Sequence, residues 1–183
     1  MAAQNEVIHR KTISIELKKH RASFDLIQQC KFEFKTINEA VCLAAFMASC
    51  FPDPERVMVG LAQIMMNAVE HGNLGIGYDR KTQLLEDGIW RAEVDRRMNQ
   101  PENADKKVEA ILARQDNGII VTITDQGEGF NWNEYIHVDP GRVGDNHGRS
   151  IAQAAAMSFD KLTYNDKGNK AVIFVGDTPP FDW

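Results

Sequence analysis

The chain lacks any apolar run approaching the length of about eighteen residues that a membrane-spanning helix needs. It also lacks a signal-peptide pattern. Neither a span nor a secretory leader is expected, and the cytoplasm is the default location. Cysteine is scarce, three in 183 residues. Cys30, Cys42 and Cys50 occupy apolar helical or strand contexts without C-x-x-C spacing, which argues against zinc and reads as reduced core thiols rather than disulfides. His9, His20, His71, His137 and His147 show no ligand spacing either. Positive charge is outweighed, with 21 Lys and Arg against 26 Asp and Glu and a net charge of -5. No basic stripe stands out, so nucleic acid is not an expected ligand and proteins are the more natural partners. Neither a P-loop nor a G-x-S-x-G elbow occurs, which leaves a metabolic enzyme without support. No internal repeat or interdomain linker is visible. A chain of 183 residues with 43% hydrophobic and 26% charged content suits one core, so a single domain over 1–183 is expected.

Three segments stand out against this background. The first is Gln63-Ile-Met-Met-Asn67-Ala-Val-Glu70-His71-Gly72-Asn73. Val57, Leu61, Ile64, Met65 and Ala68 recur at helical spacing as a buried face, while Gln63, Asn67, Glu70 and His71 form a polar stripe on a second face. Asp53 is the expected N-cap with Pro54 at the first helical position, and Gly72 is placed to end the helix. The second segment is Asp125-Gln-Gly127-Glu-Gly129, after the alternating strand Ile119–Thr124. The third is His147-Gly148-Arg149-Ser150, which opens an alanine-rich helix.

Each segment carries a definite chemistry. A side-chain amide oxygen is a hard neutral ligand of the kind Mg²⁺ accepts alongside waters and phosphate oxygens, which makes Asn67 the candidate metal ligand. Asp125 is expected to project from the end of that strand, where its carboxylate can accept from an adenine amino group. Gly127 and Gly129 permit a tight turn and the close approach of a flat base. The helix start at Gly148 offers backbone N–H groups and a dipole to phosphate, with Arg149 and Ser150 as further donors. Taken singly, these pieces also read as a plain turn, a buried Asn satisfied by backbone, a His-Gly helix end and a helix cap. Their order and spacing on helix, strand end and helix start point to a nucleotide pocket.

The Asn67 segment resembles the N box of the GHKL (Bergerat) ATPases, and Asp125 to Gly129 matches their D-x-G-x-G box. Within that superfamily, Asn67-Ala-Val-Glu-His-Gly-Asn and the run Gly148-Arg-Ser-Ile-Ala-Gln-Ala-Ala-Ala-Met-Ser-Phe-Asp look most like the anti-sigma-factor serine kinase branch, over roughly residues 32 to 176. The resemblance implies an α+β fold, a two-layer α/β sandwich of the Bergerat type with a mixed, mainly antiparallel sheet and helices on one face. It implies ATP and Mg²⁺ as ligands, held by Asn67, His71, Gly72, Asp125, Gly127, Gly129, Gly148, Arg149 and Ser150, with Arg142 or His147 meeting phosphate. It also implies a role in bacterial signal transduction, with a sigma factor or a STAS-type antagonist as protein partner. Dimers are usual in that branch, so a homodimer is one state the resemblance allows, and the sequence leaves the oligomeric state open. One position departs from the pattern: active relatives carry a Glu four residues before the Asn, where this chain has Gln63. A carboxamide cannot take up a proton, and losing a positioned general base costs about 10² to 10⁴ in rate, although Gln can still orient a nucleophile. A serine/threonine kinase, a non-catalytic protein-binding module and the ATP-binding domain of a sensor histidine kinase all remain open.

The remaining pattern sets the scaffold. Ile13–Leu17 and Lys31–Lys35 alternate as strands, and Thr36-Ile-Asn-Glu39 is a capping box opening a helix to about Ser49. Val108–Arg114 and Ile119–Thr124 flank Asp116-Asn117-Gly118 as a hairpin with Asn-Gly at its turn. Leu162–Asn165 and Lys170–Val175 form a second hairpin around Asp166-Lys-Gly-Asn. Residues 79–107 form an insertion of one or two amphipathic helices, either packed on its own apolar stripe or serving as a docking or dimer surface. Residues 130–147, with Trp132, Tyr135, Pro140, Gly141 and Gly144, correspond to the lid of the superfamily, a passive surface loop being the other reading.

Overall fold

A computed structural model of the chain describes residues 23–132 and 156–177. The expected strand Ile13–Leu17, the residues Arg142, His147, Gly148, Arg149 and Ser150, and most of the 130–147 lid lie outside the described residues. The fold is α+β. Strand β1 (Gln29–Phe34) leads into helix α1 (Ile37–Ala48) and helix α2 (Pro54–Asn67), which continues as a π-helical turn over Ala68–Asn73. Helices α3 (Tyr78–Glu86) and α4 (Trp90–Met98) follow, then strands β2 (Val108–Gln115), β3 (Gly118–Thr124), β4 (Lys161–Tyr164) and β5 (Lys170–Gly176).

The helix starts form where local hydrogen bonding dictates. At α1 the Thr36 hydroxyl accepts from the Glu39 N–H at 3.1 Å, and Glu39 Oε2 accepts from the Thr36 N–H at 3.0 Å. This is the reciprocal capping box that the sequence predicts. Thr36→Ala is expected to cost about 1 kcal/mol, a fall of about 2–4 °C in melting temperature for a chain of this size, measurable by differential scanning calorimetry. At α2 Asp53 Oδ1 accepts from the Arg56 N–H at 3.1 Å, with Pro54 in the first turn.

The five strands form one sheet in the order β1-β2-β3-β5-β4, and every pairing is antiparallel. The mixed sheet expected from the family resemblance is thus not seen among the described residues. Pairing register explains the core. Cys30, Leu112, Val121, Ile173 and Leu162 stand opposite one another across the five strands, and the flanking rows carry Ala110, Ile123 and Ala171 on the same face. These side chains share one buried cluster with Ala40, Ala44, Val57, Leu61, Ile64 and Met65 of α1 and α2. The predicted apolar face of α2 is therefore the face that meets the sheet. The alternate residues Ile111, Ile120, Thr122, Val172 and Phe174 are only half-buried, as expected for a sheet with helices on one side.

Three local expectations change. Helix α2 does not end at Gly72, because the chain widens into a π turn in which the Leu74 N–H donates to Val69 O at 2.9 Å and the Ile76 N–H to Glu70 O at 2.9 Å. The β2–β3 turn sits on Asp116-Asn117, with Gln115 paired to Gly118. Neither turn residue has a positive φ, so the I′ turn implied by Asn-Gly does not form. Cys42 is exposed on α1, whereas Cys50 is buried and Cys30 half-buried; all three are free thiols. The insertion resolves into two helices whose apolar stripes bury Leu84 and Val94 and half-bury Trp90 and Met98. Among the described residues no helix is long and apolar enough to cross a membrane.

Candidate functional site

A cavity of about 520 Å³ opens between the end of α2, the β3–β4 connection and the insertion, within the range typical of small-molecule sites. Its floor is main chain. At Gly72 an added Cβ would lie 2.4 Å from Asp125 Cγ, and at Gly127 one would lie 2.2 Å from the Gly72 carbonyl oxygen. The Ala68–Asn73 turn and the Asp125–Gly129 loop therefore touch backbone to backbone, which only glycine allows at this separation. The π turn makes this meeting possible, since its extra residue shifts Gly72 off the ordinary helical path toward Asp125.

Asp125 follows directly on β3. Its N–H donates to Asn169 O at 3.0 Å, and Asn169 Nδ2 donates back to Asp125 O at 3.1 Å, so the strand end is fixed to the β4–β5 loop. Asp125 Oδ1 accepts from the Gly127 N–H at 2.8 Å. Burial pushes the Asp125 carboxyl up to about 6, against the opposing Gly127 N–H bond and the charges of Lys167 and Lys106. Carboxyl groups perturbed by burial in a cleft are a mark of functional sites. Gly129, with φ +79°, completes the loop where an added Cβ would lie 1.9 Å from Lys167 O.

Asn67 and His71 line the same cavity. His71 Nδ1 donates to the Ile76 carbonyl, which fixes the tautomer with Nε2 as acceptor. Burial holds the imidazole below its ordinary range, with the Ile76 carbonyl opposing. Three buried polar atoms have no partner among the described residues: Asn67 Nδ2, His71 Nε2 and Asn73 Nδ2. Such atoms are rare in folded proteins, and all three belong to residues of this wall. No group of three or more His, Cys, Asp or Glu among the described residues is arranged to hold a metal by itself. Asn67 suits Mg²⁺ only as one neutral oxygen beside phosphate oxygens and water, which is the way that ion is usually held at nucleotide sites.

Two residues of the expected polar stripe are not in the wall. Gln63 is half-buried on α2 but does not line the cavity formed by the described residues. Glu70 is 1% exposed and points to the insertion, where its carboxylate accepts from Lys81 Nζ at 2.5 Å and from Trp90 Nε1 at 2.7 Å. With both oxygens engaged in holding α3 and α4, Glu70 is a structural anchor. The cause is the π turn again, which breaks the 100° spacing on which a single stripe depends.

Several wall residues escape a motif reading. Tyr78, Phe130 and Tyr164 add aromatic surface; the Phe130 and Tyr164 rings meet edge-on at 5.2 Å. Burial pushes the Tyr164 phenol up, and the neighbouring Tyr78 phenol and Asp125 carboxyl push in the same direction. Asn73 joins both halves of the site, its Oδ1 accepting from the Gln126 N–H at 2.8 Å and its carbonyl from Lys106 Nζ at 3.0 Å. The one advance signal is in β4, where the alternation that buries Leu162 also turns Tyr164 inward. The arrangement offers flat aromatic faces, the half-buried Asp125 carboxyl as acceptor with Glu102 and Glu128 also on the wall, a backbone floor, and Arg97 and Lys106 as positive charge, which together suit a planar, hydrogen-bonding ligand. In comparison with known proteins, no family model matches the chain and no curated sequence matches it significantly.

Proposed function

We propose that the chain is an ATP-binding regulatory domain of the Bergerat type, similar to the anti-sigma-factor serine kinases. The observation that carries the reading is the convergence of Asn67, Asp125 and the Gly72–Gly127 contact on one cavity from segments more than fifty residues apart in the chain. In this reading Asp125 accepts from the adenine amino group and the glycine floor admits the base. Asn67 supplies one oxygen to Mg²⁺, which when bound neutralises phosphate charge. Gly148, Arg149 and Ser150 belong to the same proposal as phosphate donors. The regulated partner is a sigma factor or a STAS-type antagonist, and the cytoplasm and a homodimer are the corresponding setting.

Gln63 favours a second reading, a module that binds its partner without phosphorylating it. A carboxamide one turn before Asn67 accepts no proton, so catalysis would rest on positioning and charge neutralisation alone. Phosphorylation of a partner serine or threonine by Gln63→Glu, absent from the parent chain, would support a site otherwise complete; no gain would support the binding-only module.

Calorimetric titration with Mg-ATP and Mg-ADP tests the shared core of both nucleotide readings. Micromolar binding is expected. Asn67→Ala is expected to weaken Mg-ATP by about tenfold or more, the loss of a ligand to the ion, while leaving metal-free ADP little changed. No binding of any nucleotide at millimolar concentration would defeat the proposal.

A further inference from the structure

The insertion is more than an outer excursion, because both of its ends return to the cavity. Tyr78, which opens α3 and leads directly into the 79–107 segment, Arg97 near the end of α4, and Gln100 and Lys106 beyond it all line the cavity beside Asp125 and Tyr164. Its placement is set by contacts to residues 70–75, at and just after the π-helical turn. Glu70 receives Lys81 and Trp90, and Arg97 Nη1 donates to Leu74 O at 2.8 Å and to Gly75 O at 2.9 Å. Lys106 Nζ donates to Asn73 O and, at 3.0 Å, to Asn103 Oδ1.

Tyr78 occupies the decisive place. Its ring lies over His71 with centroids 4.1 Å apart and an interplanar angle of 31°. His71 precedes Gly72, whose Cα faces the Asp125 carboxylate. Tyr78, Asp125 and Tyr164 all line the cavity. The Gln100 carboxamide makes no hydrogen bond among the described residues and sits on the same wall. A flat ring with an exocyclic amino group matches these residues: aromatic faces for stacking, a carboxylate for the amino group and an amide for a ring nitrogen.

We infer that the insertion is a ligand-binding wall, with Tyr78 as the residue that contacts the heteroaromatic base of a bound nucleotide. The inference rests on the nucleotide reading above and assigns the base end of the site to a segment outside the family's motifs. It predicts that Tyr78 governs affinity for the nucleoside part and is indifferent to phosphate.

The experiment is calorimetric titration of adenosine and of Mg-ADP into the full chain, wild type first and then Tyr78→Phe and Tyr78→Leu. Leucine keeps an apolar side chain over His71 while removing the aromatic face, and circular dichroism with thermal melting establishes that each variant is folded. Tyr78→Leu is expected to weaken adenosine and Mg-ADP by the same factor, about ten- to a hundredfold, the size of one base-stacking contact. Tyr78→Phe is expected to bind close to wild type. Unchanged affinity in folded Tyr78→Leu, or a loss confined to Mg-ADP, would overturn the wall assignment and leave nucleotide binding standing. Failure of the wild-type chain to bind either ligand would overturn the nucleotide reading itself, and this inference with it.

Discussion

Asp125→Asn is expected to weaken adenine nucleotides by about a hundredfold or more and, at the same time, to raise the melting temperature of the ligand-free protein near neutral pH. Both effects come from one carboxylate. Because Asp125 Oδ1 is engaged by the Gly127 N–H, the other oxygen is the one left to accept from a base. In the Asn variant the carbonyl takes the Gly127 bond and an amide donor faces the ligand's amino group. Donor then meets donor, and a charge-assisted bond is lost, worth about 1.5–3 kcal/mol before the cost of the unpaired groups. For stability the sign is opposite. The folded-state value of about 6 lies above the ordinary 3.8, so between those values the native chain holds more protons than the unfolded one. Stability therefore falls as pH rises through that window, and above about pH 6 the ionised carboxylate costs about 3 kcal/mol. Removing it is expected to raise the melting temperature by about 6–12 °C at pH 7.5 and to change little at pH 4. Nucleotide affinity of the wild type is expected to fall about tenfold per pH unit below 6, as the acceptor is protonated. Titrations from pH 5 to 8 with parallel thermal melts read all of this; an Asn variant that binds as tightly as wild type would remove Asp125 from the site.

Glu70→Ala is expected to cost about 3 kcal/mol or more, a fall of about 6–12 °C in melting temperature. The carboxylate is buried, and its removal strands Lys81 Nζ and Trp90 Nε1 together. Lys81 retains some access to water, at 25% side-chain exposure, which places the effect toward the lower end for a broken buried pair. Glu70→Gln, which keeps an acceptor for Trp90, is expected to lose less. Hydrogen exchange should quicken in α3 and α4 well before it changes in the sheet, because Glu70 joins those helices to the π-helical turn after α2. A melting temperature within 2 °C of wild type for Glu70→Ala would show that Arg97 and Lys106 suffice to hold the insertion.

What could be read from the chain was what depends on neighbours in sequence. The Thr36–Glu39 capping box spans three residues and is seen as expected, as is the Asp53–Pro54 start of α2. Alternation along β2, β3 and β5 reports one buried face, and the sheet bears it out. The π turn was not legible, since Ala68–Asn73 contains nothing that an α-helix would refuse except Gly72. What selects the wider turn is the distant contact of Gly72 with Asp125 and Gly127. Glu70 leaves the polar stripe for the same reason: its partners Lys81 and Trp90 lie in a segment whose docking no local pattern encodes. The convergence of Tyr78 with Tyr164 on one cavity, from opposite sides of β2 and β3 in the sequence, is likewise a property of topology. The Asn-Gly signal failed more simply, because the pairing of Gln115 with Gly118 moved the turn one residue toward the N-terminus.

The backbone floor of the cavity has a consequence for how such a protein can change over generations. Where Gly72 and Gly127 press together, substitution adds atoms where another main chain already stands, so drift in the floor is closed off and its shape is inherited whole. The rim is different: Tyr78, Gln100 and Tyr164 meet the cavity through side chains, which can be exchanged without moving the strands beneath. New ligand preferences would therefore arise by rewriting the insertion and the β4–β5 hairpin over an unaltered base. In descendants of this chain, the glycines would record ancestry and the aromatic rim would record what each has come to bind.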